Sequence, residues 1–422
     1  MSSQDPEDLF SGEDAIDEED IAVLRNLLYE NTDPAMRQQA AEGLGEAGRA
    51  LREPKRGEIV DDLITAVLRD QNDEVRATAI DALYFIDADH IDDLVGAIAN
   101  QLKHQQTTAR PAEYFLPWLT ATASEFRIVG AAAMEQFGDG STVSELESVL
   151  SDPDPRVRVR AVRAYASYGT RADPEPLQSM LEDRNSVVRQ ATARALGEIG
   201  TDRAFEVLVS ATQASDRQLR LAAVTELKQF DTTASVEVLI QSLVDTSSVV
   251  RYRSVLSLLR ISATTDRIDV GEVPGRIYET TGTSEMNTLA DTLFEVATDA
   301  KDDGVQRRIR IQAVWILGEL SRLDGRSELS QSLVNLFRDS ENAVADLASA
   351  YLKRLQGETI ERELQKIISD SAVTLEKGDV AKRILKRVKR NAAAPIEAQS
   401  IEYTYVQTPK DYTVKYDDEP SG

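Results

Sequence analysis

The chain has two histidines and no cysteine, so few of its residues could act as nitrogen or sulfur ligands of a metal and none as a thiolate nucleophile. His90 lies in the run DADHIDD, where an imidazole among carboxylates could bind a divalent ion, and His104 lies in LKHQQ. This spacing fits no known type of metal site, so solvated histidines are the favoured interpretation. The lack of cysteine excludes disulfides, thiolate nucleophiles and Cys-based zinc sites, and it leaves the redox compartment open.

Sequence motifs for nucleotide binding and covalent catalysis do not occur in the chain. It has no G-x-x-x-x-G-K-[ST] loop, no G-x-G-x-x-G after a strand pattern and no G-x-S-x-G nucleophile elbow. Carboxylates are so frequent, at 73 Asp and Glu, that pairs of them identify no acid–base site. We therefore predict no catalytic residue, no metal and no cofactor.

Arginines at a fixed spacing form the strongest chemical pattern of the sequence. Five of them, each 31 residues after the previous one, are Arg127, Arg158, Arg189, Arg220 and Arg251. Looser copies of their surroundings occur at Arg37, Arg76 and Arg310, and NAVADLASAYLKRL is a copy without the arginine. A guanidinium could contact a ligand, but a position used once in every repeat favours pairing with an Asp of the same or the adjacent repeat.

Further arginines occupy equivalent positions in different repeats. Arg163 corresponds to Arg194, and Arg160 corresponds to Arg253. Because equivalent positions of stacked repeats line up along one face, these four residues are a candidate basic stripe for binding a partner. The alternative is a set of solvated arginines, each paired with a nearby Asp or Glu.

Each repeat also carries the signals of two helices. Segments such as PLQSMLED and AFEVLVSAT have apolar residues at three- and four-residue spacing, which indicates helix. A polar break follows, with Asp residues suited to cap the second helix: Asp152, Asp154, Asp183 and Asp216. Gly169 and Gly200 suit a left-handed cap at its end. One such pair cannot bury its apolar face alone, so the pairs must stack.

The pattern D-x-x-V-R-x-x-A-x-x-A-L-G-x-x-G, at a period near 31, resembles the short HEAT repeat of the phycobilisome-lyase type. Longer HEAT and armadillo repeats have roughly 40–47 residues. The resemblance covers roughly residues 21–355. It implies an all-α, right-handed α-solenoid of about 8–10 helix–turn–helix repeats. It implies little about activity, because unrelated functions share this scaffold.

Two activities known for such repeats find no support in the residues. Some HEAT-repeat enzymes bind two irons through His-Glu pairs, but here Ile91 follows His90 and Gln105 follows His104. Phycobilin lyases attach pigment to a partner's cysteines within a groove that no residue here marks. We therefore predict that the protein is not an enzyme, with a lyase-type enzyme as the least favoured alternative.

The composition is strongly acidic, with a net charge of −25 and a pI near 4.6. Arginines outnumber lysines by 36 to 12. This resembles the composition of haloarchaeal proteins, whose carboxylates stay hydrated in high salt; an ordinary acidic mesophilic protein is the alternative. The negative charge argues against nucleic-acid binding, since binding to phosphates needs a cationic surface. No signal-peptide pattern and no apolar run of about 18 residues occurs, so we expect a soluble cytoplasmic protein.

Two insertions interrupt the repeats, near residues 104–120 and 262–288. The first contains two prolines and the aromatic residues Tyr114, Phe115 and Trp118. These residues could form an exposed anchor for a partner, and a segment folded back onto the core is the favoured alternative. The second insertion is rich in Thr, Gly and Asp, and it is predicted to be a long loop projecting from one edge.

The ends of the chain differ from the repeats. Residues 1–20 hold nine acids and are expected to be disordered, and residues 392–422 are either a disordered tail or a short hairpin. Residues 376–391 are predicted to form a basic amphipathic helix after a repeat region of 21–375. Its candidate partner-binding residues are Lys382, Lys386, Arg387 and Arg390. The favoured alternative is a helix that caps the last repeat and pairs with the chain's own carboxylates.

The sequence therefore predicts a non-enzymatic adaptor that binds other proteins and does not insert into membranes. The haloarchaeal short-HEAT proteins that it resembles include members that act in taxis signalling near the archaellum motor, so signalling or motor-associated proteins are the most specific partners that the resemblance implies. A scaffold associated with nucleic acid, using the basic stripe and the basic helix, is the alternative.

Overall fold

The computed structural model describes residues 18–105, 110–171, 173–264, 268–299, 304–324, 327–339, 341–355, 358–370 and 375–393. The chain divides into two compact units, unit 1 from Met1 to Val207 and unit 2 from Leu208 to Gly422. All regular structure in the described ranges is helical, as the sequence predicts.

Unit 1 consists of five helix pairs and one additional helix. The helices are α1 (Glu18–Glu30), α2 (Pro34–Ala50), α3 (Lys55–Arg69), α4 (Asp73–Ile86), α5 (His90–His104), α6 (Pro111–Phe115), α7 (Ser124–Phe137), α8 (Val143–Val149), α9 (Pro155–Ser167), α10 (Glu175–Met180) and α11 (Ser186–Ile199). The second helices α2, α4, α7, α9 and α11 pack side by side in that order, and α5 is the additional helix, against α4 and α7.

Unit 2 contains four helix pairs that lie wholly within it. Its helices are α13 (Arg217–Glu226), α14 (Thr233–Gln241), α15 (Ser248–Thr264), α16 (Val273–Thr280), α17 (Thr283–Thr298), α18 (Gly304–Leu323), α19 (Ser327–Leu336), α20 (Asn342–Leu352), α21 (Glu358–Ser369) and α22 (Leu375–Ala393). A further helix, α12 (Asp202–Ala211), runs across the boundary between the units. With nine complete pairs in the described ranges, the predicted all-α repeat architecture of about 8–10 repeats is confirmed.

The second helices can approach closely because small residues line their contacts. In α9, Ala161 and Ala164 are fully buried beside Val157 and Tyr165. In α2, a Cβ added to Gly45 would lie 2.7 Å from the Cβ of Ala82 in α4, so this contact requires glycine. Burial of these small and branched side chains is what holds a stack of short pairs together, since no single pair has a core of its own.

The turn signals are largely confirmed. Asp154 and Asp216 cap α9 and α13 by accepting hydrogen bonds from the backbone N–H groups of Arg156 and Gln218. Gly200 caps α11 at a φ of +67°, and Gly169, two residues after the end of α9, has a φ of +58°. These are left-handed conformations, which glycine adopts without a steric penalty.

The predicted long loop at 262–288 is wrong. Helix α15 extends to Thr264, and α16 and the start of α17 occupy most of the rest. Val273 and Ile277 are buried one turn apart in α16, and Met286 is buried in α17; this burial outweighs the low helix propensity of the surrounding Thr and Gly.

Within the predicted insertion at 104–120, residues 111–120 form the first half of a helix pair, and residues 106–109 lie outside the described residues. Pro111 occupies the first turn of α6, and a 3-10 helix (Leu116–Thr120) follows; both pack on α7. At the N-terminal end, Glu18–Asp20 form the acidic first turn of α1, so the predicted disordered segment extends too far by these residues. The tail at 394–422 and residues 1–17 lie outside the described residues.

Candidate binding surfaces on the helix pairs

The repeat arginines clamp one repeat to the turn of the next. Arg158 donates from Nε and Nη2 to the two carboxylate oxygens of Asp183, at 2.7 and 2.8 Å, and from Nη1 to the carbonyls of Asp152 and Pro153. Equivalent bidentate pairs join Arg37 to Asp70, Arg127 to Asp152, and Arg220 to Asp245. The predicted pairing of these arginines with an Asp of the adjacent repeat is confirmed for them, which leaves their guanidinium groups unavailable to a ligand.

The carboxylate of each clamp also organises its own turn. Asp183 accepts a hydrogen bond from the N–H of Asn185 at 2.7 Å, and Asn185 in turn caps α11. Asp183 was predicted to cap α11 itself; that prediction is wrong because its carboxylate lies two residues earlier and binds Arg158. Burial alone would raise the pKa of Asp183, but hydrogen bonds from Arg158 and the Asn185 amide outweigh it and hold the pKa below its ordinary value.

Arg160 does not belong to any surface stripe. It is 1% exposed, and it donates from Nη1 to both carboxylate oxygens of Asp92 at 3.0 Å and from Nη2 to the carbonyl of Ala88. The guanidinium thereby fixes α9 to the additional helix α5. The prediction that it contacts a partner is wrong, because the guanidinium is buried between α9 and α5 and is already bound in an ion pair there.

The other three arginines of the predicted stripe are accessible to different degrees. Arg163 is partly exposed and contacts Glu135 at 3.4 Å. Arg194 is 73% exposed and pairs with Glu198 one helical turn away, at 2.9 Å. Arg253 is exposed on α15 in unit 2. For Arg163 and Arg194 these are the local pairs that the alternative interpretation predicts.

The aromatic cluster lies mostly in the interior. Phe115 is fully buried, and Trp118 is half-buried with its ring 5.1 Å from that of Phe126. The guanidinium of Arg76 lies 4.9 Å from the ring centre of Phe126. Tyr114 is exposed at 41%. Phe115 therefore cannot anchor a partner, and the interpretation of this segment as part of the core is confirmed for it.

The predicted basic helix is present as α22, which packs on α21 and α20. Ala381, Ile384 and Val388 are fully buried, so the helix caps this end of unit 2 as the favoured alternative predicts. Its pairing is limited: Lys382 contacts Asp379 of the same helix, and Lys377 donates to the carbonyls of Arg338 and Asp339. The remaining exposed basic residues point to solvent: Arg383, Lys386, Lys389 and Arg390. Arg387 is half-buried.

The two histidines lie at opposite ends of α5. His90 contacts Asp93 at 3.0 Å, and His104 is exposed in the last turn. In the described part of the chain, no group of three or more His, Asp or Glu side chains could hold a metal ion. Nor does any described helix combine the length and the apolarity needed to cross a bilayer.

The structure reveals a groove that the sequence did not indicate. It has a volume of about 500 Å³ and lies between the second helices α2 and α4, with α7 at one end. Gly45, Ala77 and Ala82 form its floor. The charged side chains around it are Glu42, Glu46, Arg49, Glu74, Asp81 and Glu125. We call this site the acidic groove, because five of these six residues are carboxylates. Phe85, which is 53% exposed, forms part of its wall.

Arg156 holds one side of the acidic groove in place. Its guanidinium contacts Asp81 on α4, Glu125 on α7 at 3.3 Å and Asp154 at 2.8 Å. It also lies 5.7 Å from the ring centre of Phe85, within the range of a cation–π contact. Burial alone would lower the pKa of Arg156, but the hydrogen bonds that it donates to Asp154 and Asp81 raise it, so this cation stays charged.

Only two of the five carboxylates in the groove are neutralised in this way. Asp81 and Glu125 contact Arg156, whereas Glu42, Glu46 and Glu74 are exposed and form no ion pair with any described residue. Two signals in the sequence could have found part of this lining: the glutamates two residues before a repeat arginine, Glu74 and Glu125, and the glutamates one turn apart on α2, Glu42 and Glu46.

The family described as HEAT repeats matches residues 21–105, 112–193 and 174–259, which together exceed half of the chain. The chain belongs to the HEAT-repeat family. No curated protein matches this HEAT-repeat chain significantly. Among solved structures, the crystal structure of an engineered protein is similar at 20% identity and a TM-score of 0.47, over 87% of this chain and 98% of that one. A TM-score of 0.47 is too low for this similarity to support an inference about the fold or the function.

Proposed function

We propose that this HEAT-repeat protein is a non-enzymatic scaffold that binds other proteins through the second helices of unit 1. The observation that carries the proposal is the acidic groove, where an exposed aromatic ring and three carboxylates without ion-pair partners lie over a floor of small residues. An exposed aromatic side chain beside charged groups is typical of a protein interface. The repeat arginines support the scaffold role, because they hold the stack together instead of forming a reactive site.

Site-specific photo-crosslinking in the native host tests this proposal. A photo-reactive amino acid is placed at Thr78, inside the acidic groove, and as a matched control at Asp61, which is exposed on the first helix α3. We expect a discrete crosslinked protein from position 78 and none from position 61. Equal crosslinking at both positions, or none at either, would contradict binding through the second helices.

The partners that we propose most specifically are signalling proteins that couple taxis to the archaellum motor, in the cytoplasm of a halophilic archaeon. This proposal is supported by the resemblance of the repeats and by the acidic, arginine-rich composition. A deletion strain tests it directly, because a taxis component is required for normal reversal of swimming direction. Normal reversal in that strain, with no motor or signalling protein among the crosslinked products, would exclude it.

A nucleic-acid scaffold is the second candidate, and one observation favours it. The exposed outer face of α22 carries Arg383, Lys386, Lys389 and Arg390, which could contact phosphates. The net charge of −25 and the burial of Arg160 oppose it. A gel-shift assay with duplex DNA and single-stranded RNA at low salt distinguishes the candidates, since the protein-binding scaffold gives no shift.

A further inference from the structure

We propose that the acidic groove of unit 1 binds a basic amphipathic segment of a partner protein, with an apolar side chain placed against Phe85. This inference rests on the proposed scaffold function and adds the chemical class of the partner. It commits to one occupant: a helix or extended segment that carries at least two Lys or Arg about one helical turn apart.

The charge distribution of the groove argues for a cationic occupant. Its six charged residues include five carboxylates, and Arg49 is the only base among them. Glu42 and Glu46 are one turn apart on α2, and Glu74 lies in the first turn of α4. Since no described residue forms an ion pair with these three carboxylates, they are open to a partner's cations, and complementary charge both steers association and fixes the register.

Phe85 argues that the occupant also has an apolar side. Its ring is more than half exposed, although its neighbours Ala82 and Leu83 are buried in the same helix. The guanidinium of Arg156 lies 5.7 Å from the ring centre, a contact that restricts the ring before a partner binds and so reduces the conformational freedom lost on binding. Aromatic residues with a buried edge and a free face are favoured anchors at protein interfaces.

The shape of the groove favours a partner that inserts a side chain into it over a partner that only covers it with a flat surface. Gly45, Ala77 and Ala82 keep the floor low, because none of them projects beyond a methyl group. The volume of about 500 Å³ is within the range of sites that take up a compact ligand or one anchoring segment. The aliphatic stem of a Lys or Arg can cover such a floor while its charged end reaches a carboxylate at the rim.

A binding titration with defined probes tests the proposal on the full chain. The probe is a fluorescein-labelled peptide of about 14 residues with Leu and Lys at helical spacing, followed by fluorescence anisotropy at about 50 mM KCl. A peptide with Glu in place of every Lys controls for apolar binding. A third peptide with the sequence of residues 375–393 represents the basic helix of a second copy of this chain.

Two sets of substitutions locate the binding site. The groove variant combines Glu42→Gln, Glu46→Gln and Glu74→Gln, and the control variant combines Asp61→Asn, Glu175→Gln and Glu182→Gln, which are exposed carboxylates of unit 1 outside the groove. Both sets remove three negative charges. We expect the groove variant to bind the Leu/Lys probe about tenfold more weakly and the control variant to stay within about twofold of the original chain. Phe85→Ser, in which all carboxylates remain, should also lose about tenfold.

Each outcome decides between the alternatives. An equal loss of affinity in the groove and control variants would mean that the probe responds only to net charge, and it would overturn the proposal. Unchanged binding of the probe by Phe85→Ser would overturn it as well. Tighter binding of the 375–393 peptide than of the Leu/Lys probe, with a molar mass that rises with concentration, assigns the groove to a second copy instead. If position 78 crosslinks a partner but the groove variant still binds the Leu/Lys probe fully, the scaffold proposal stands and this inference fails.

Discussion

At the scale of single residues, the Arg–Asp clamps combine strength with a structural task. A bidentate guanidinium–carboxylate pair is stronger than an ordinary surface ion pair, and in the Arg158–Asp183 clamp both side chains are almost fully buried. Each clamp also binds the carbonyl oxygens that precede the second helix, so one side chain satisfies several backbone groups at a turn. Each clamp therefore stabilises the turn before its own helix and also joins two neighbouring repeats.

Removal of the carboxylate from one clamp should be far more damaging than removal of an exposed ion pair. We expect Asp183→Ala to lower the free energy of unfolding by about 3 kcal/mol, because it leaves the buried Arg158 guanidinium without its counter-ion. The exposed pair of Arg194 and Glu198 is the control, and Arg194→Ala should change stability by less than about 0.5 kcal/mol. Urea unfolding followed by circular dichroism measures both; similar losses in the two variants would contradict the role of the clamp.

The same clamps make stability dependent on acid. The pKa values of Asp70, Asp183 and Asp245 lie below their ordinary value, since burial, which raises them, is outweighed by hydrogen bonds from Arg37, Arg158 and Arg220. A carboxyl with a lowered folded pKa stabilises the protein above its unfolded pKa of about 3.9. That contribution is lost as the pH falls through this value towards the folded pKa.

The pH prediction is tested by comparing the original chain with Asp183→Asn. We expect the difference in their unfolding midpoints to be constant near neutral pH and to shrink as the pH falls below about 4. The comparison cancels the titration of the other carboxylates. A difference that grows on acidification would show that Asp183 has a raised pKa instead.

At the scale of helices, the sequence predicted the elements where repetition was strict. The spacing of Arg127, Arg158 and Arg189 placed α7, α9 and α11 correctly, because each arginine lies in the first turn of a second helix. The sequence failed at 262–288, where Thr and Gly suggested a loop while burial of Val273 and Ile277 stabilises helix. Local propensity is a weak guide where tertiary packing decides.

The functional surface was harder to predict than the helices. Arg160 and Arg253 hold the same repeat position, yet Arg160 is buried because the additional helix α5 brings Asp92 and Ala88 against it. The acidic groove was missed for a related reason. Its lining combines residues of three helices that are far apart in the sequence, and no single segment has an unusual composition.

The close contact between Gly45 and Ala82 leads to a prediction for the interface between α2 and α4. Gly45→Ala should destabilise the protein by about 1–3 kcal/mol, because the added methyl group would overlap with Ala82 and force the helices apart. Gly96, in the middle of α5, is the control: an added Cβ meets nothing within 4 Å, so Gly96→Ala should stabilise the chain by up to about 1 kcal/mol. Thermal unfolding distinguishes them, and stabilisation by both substitutions would contradict the close contact.

At the scale of the whole molecule, the net charge of −25 opposes folding. Salt screens this repulsion, since the Debye length falls from about 10 Å at 0.1 M to about 3 Å at 1 M. We therefore expect the urea midpoint to rise between these KCl concentrations. The control variant Asp61→Asn, Glu175→Gln and Glu182→Gln, which carries less charge, should rise less. A midpoint that falls with KCl would show that ion pairs, rather than repulsion, dominate the electrostatics.

The turn geometry of the clamps has a consequence for how the chain length can change. Asp152 and Asp183 occupy the same place in successive turns, and each accepts the backbone N–H two residues further on. Excision of residues 153–183 would join Asp152 to Arg184 and leave Asn185 two positions later, so Asp152 would meet the amide that Asp183 binds now. Arg127 would keep its carboxylate partner, and the hydrogen bond of the turn would be preserved at the junction. We therefore expect the chain to tolerate gain or loss of whole 31-residue modules at these turns, whereas an insertion or deletion of a few residues should shift the register of every hydrogen bond that crosses it.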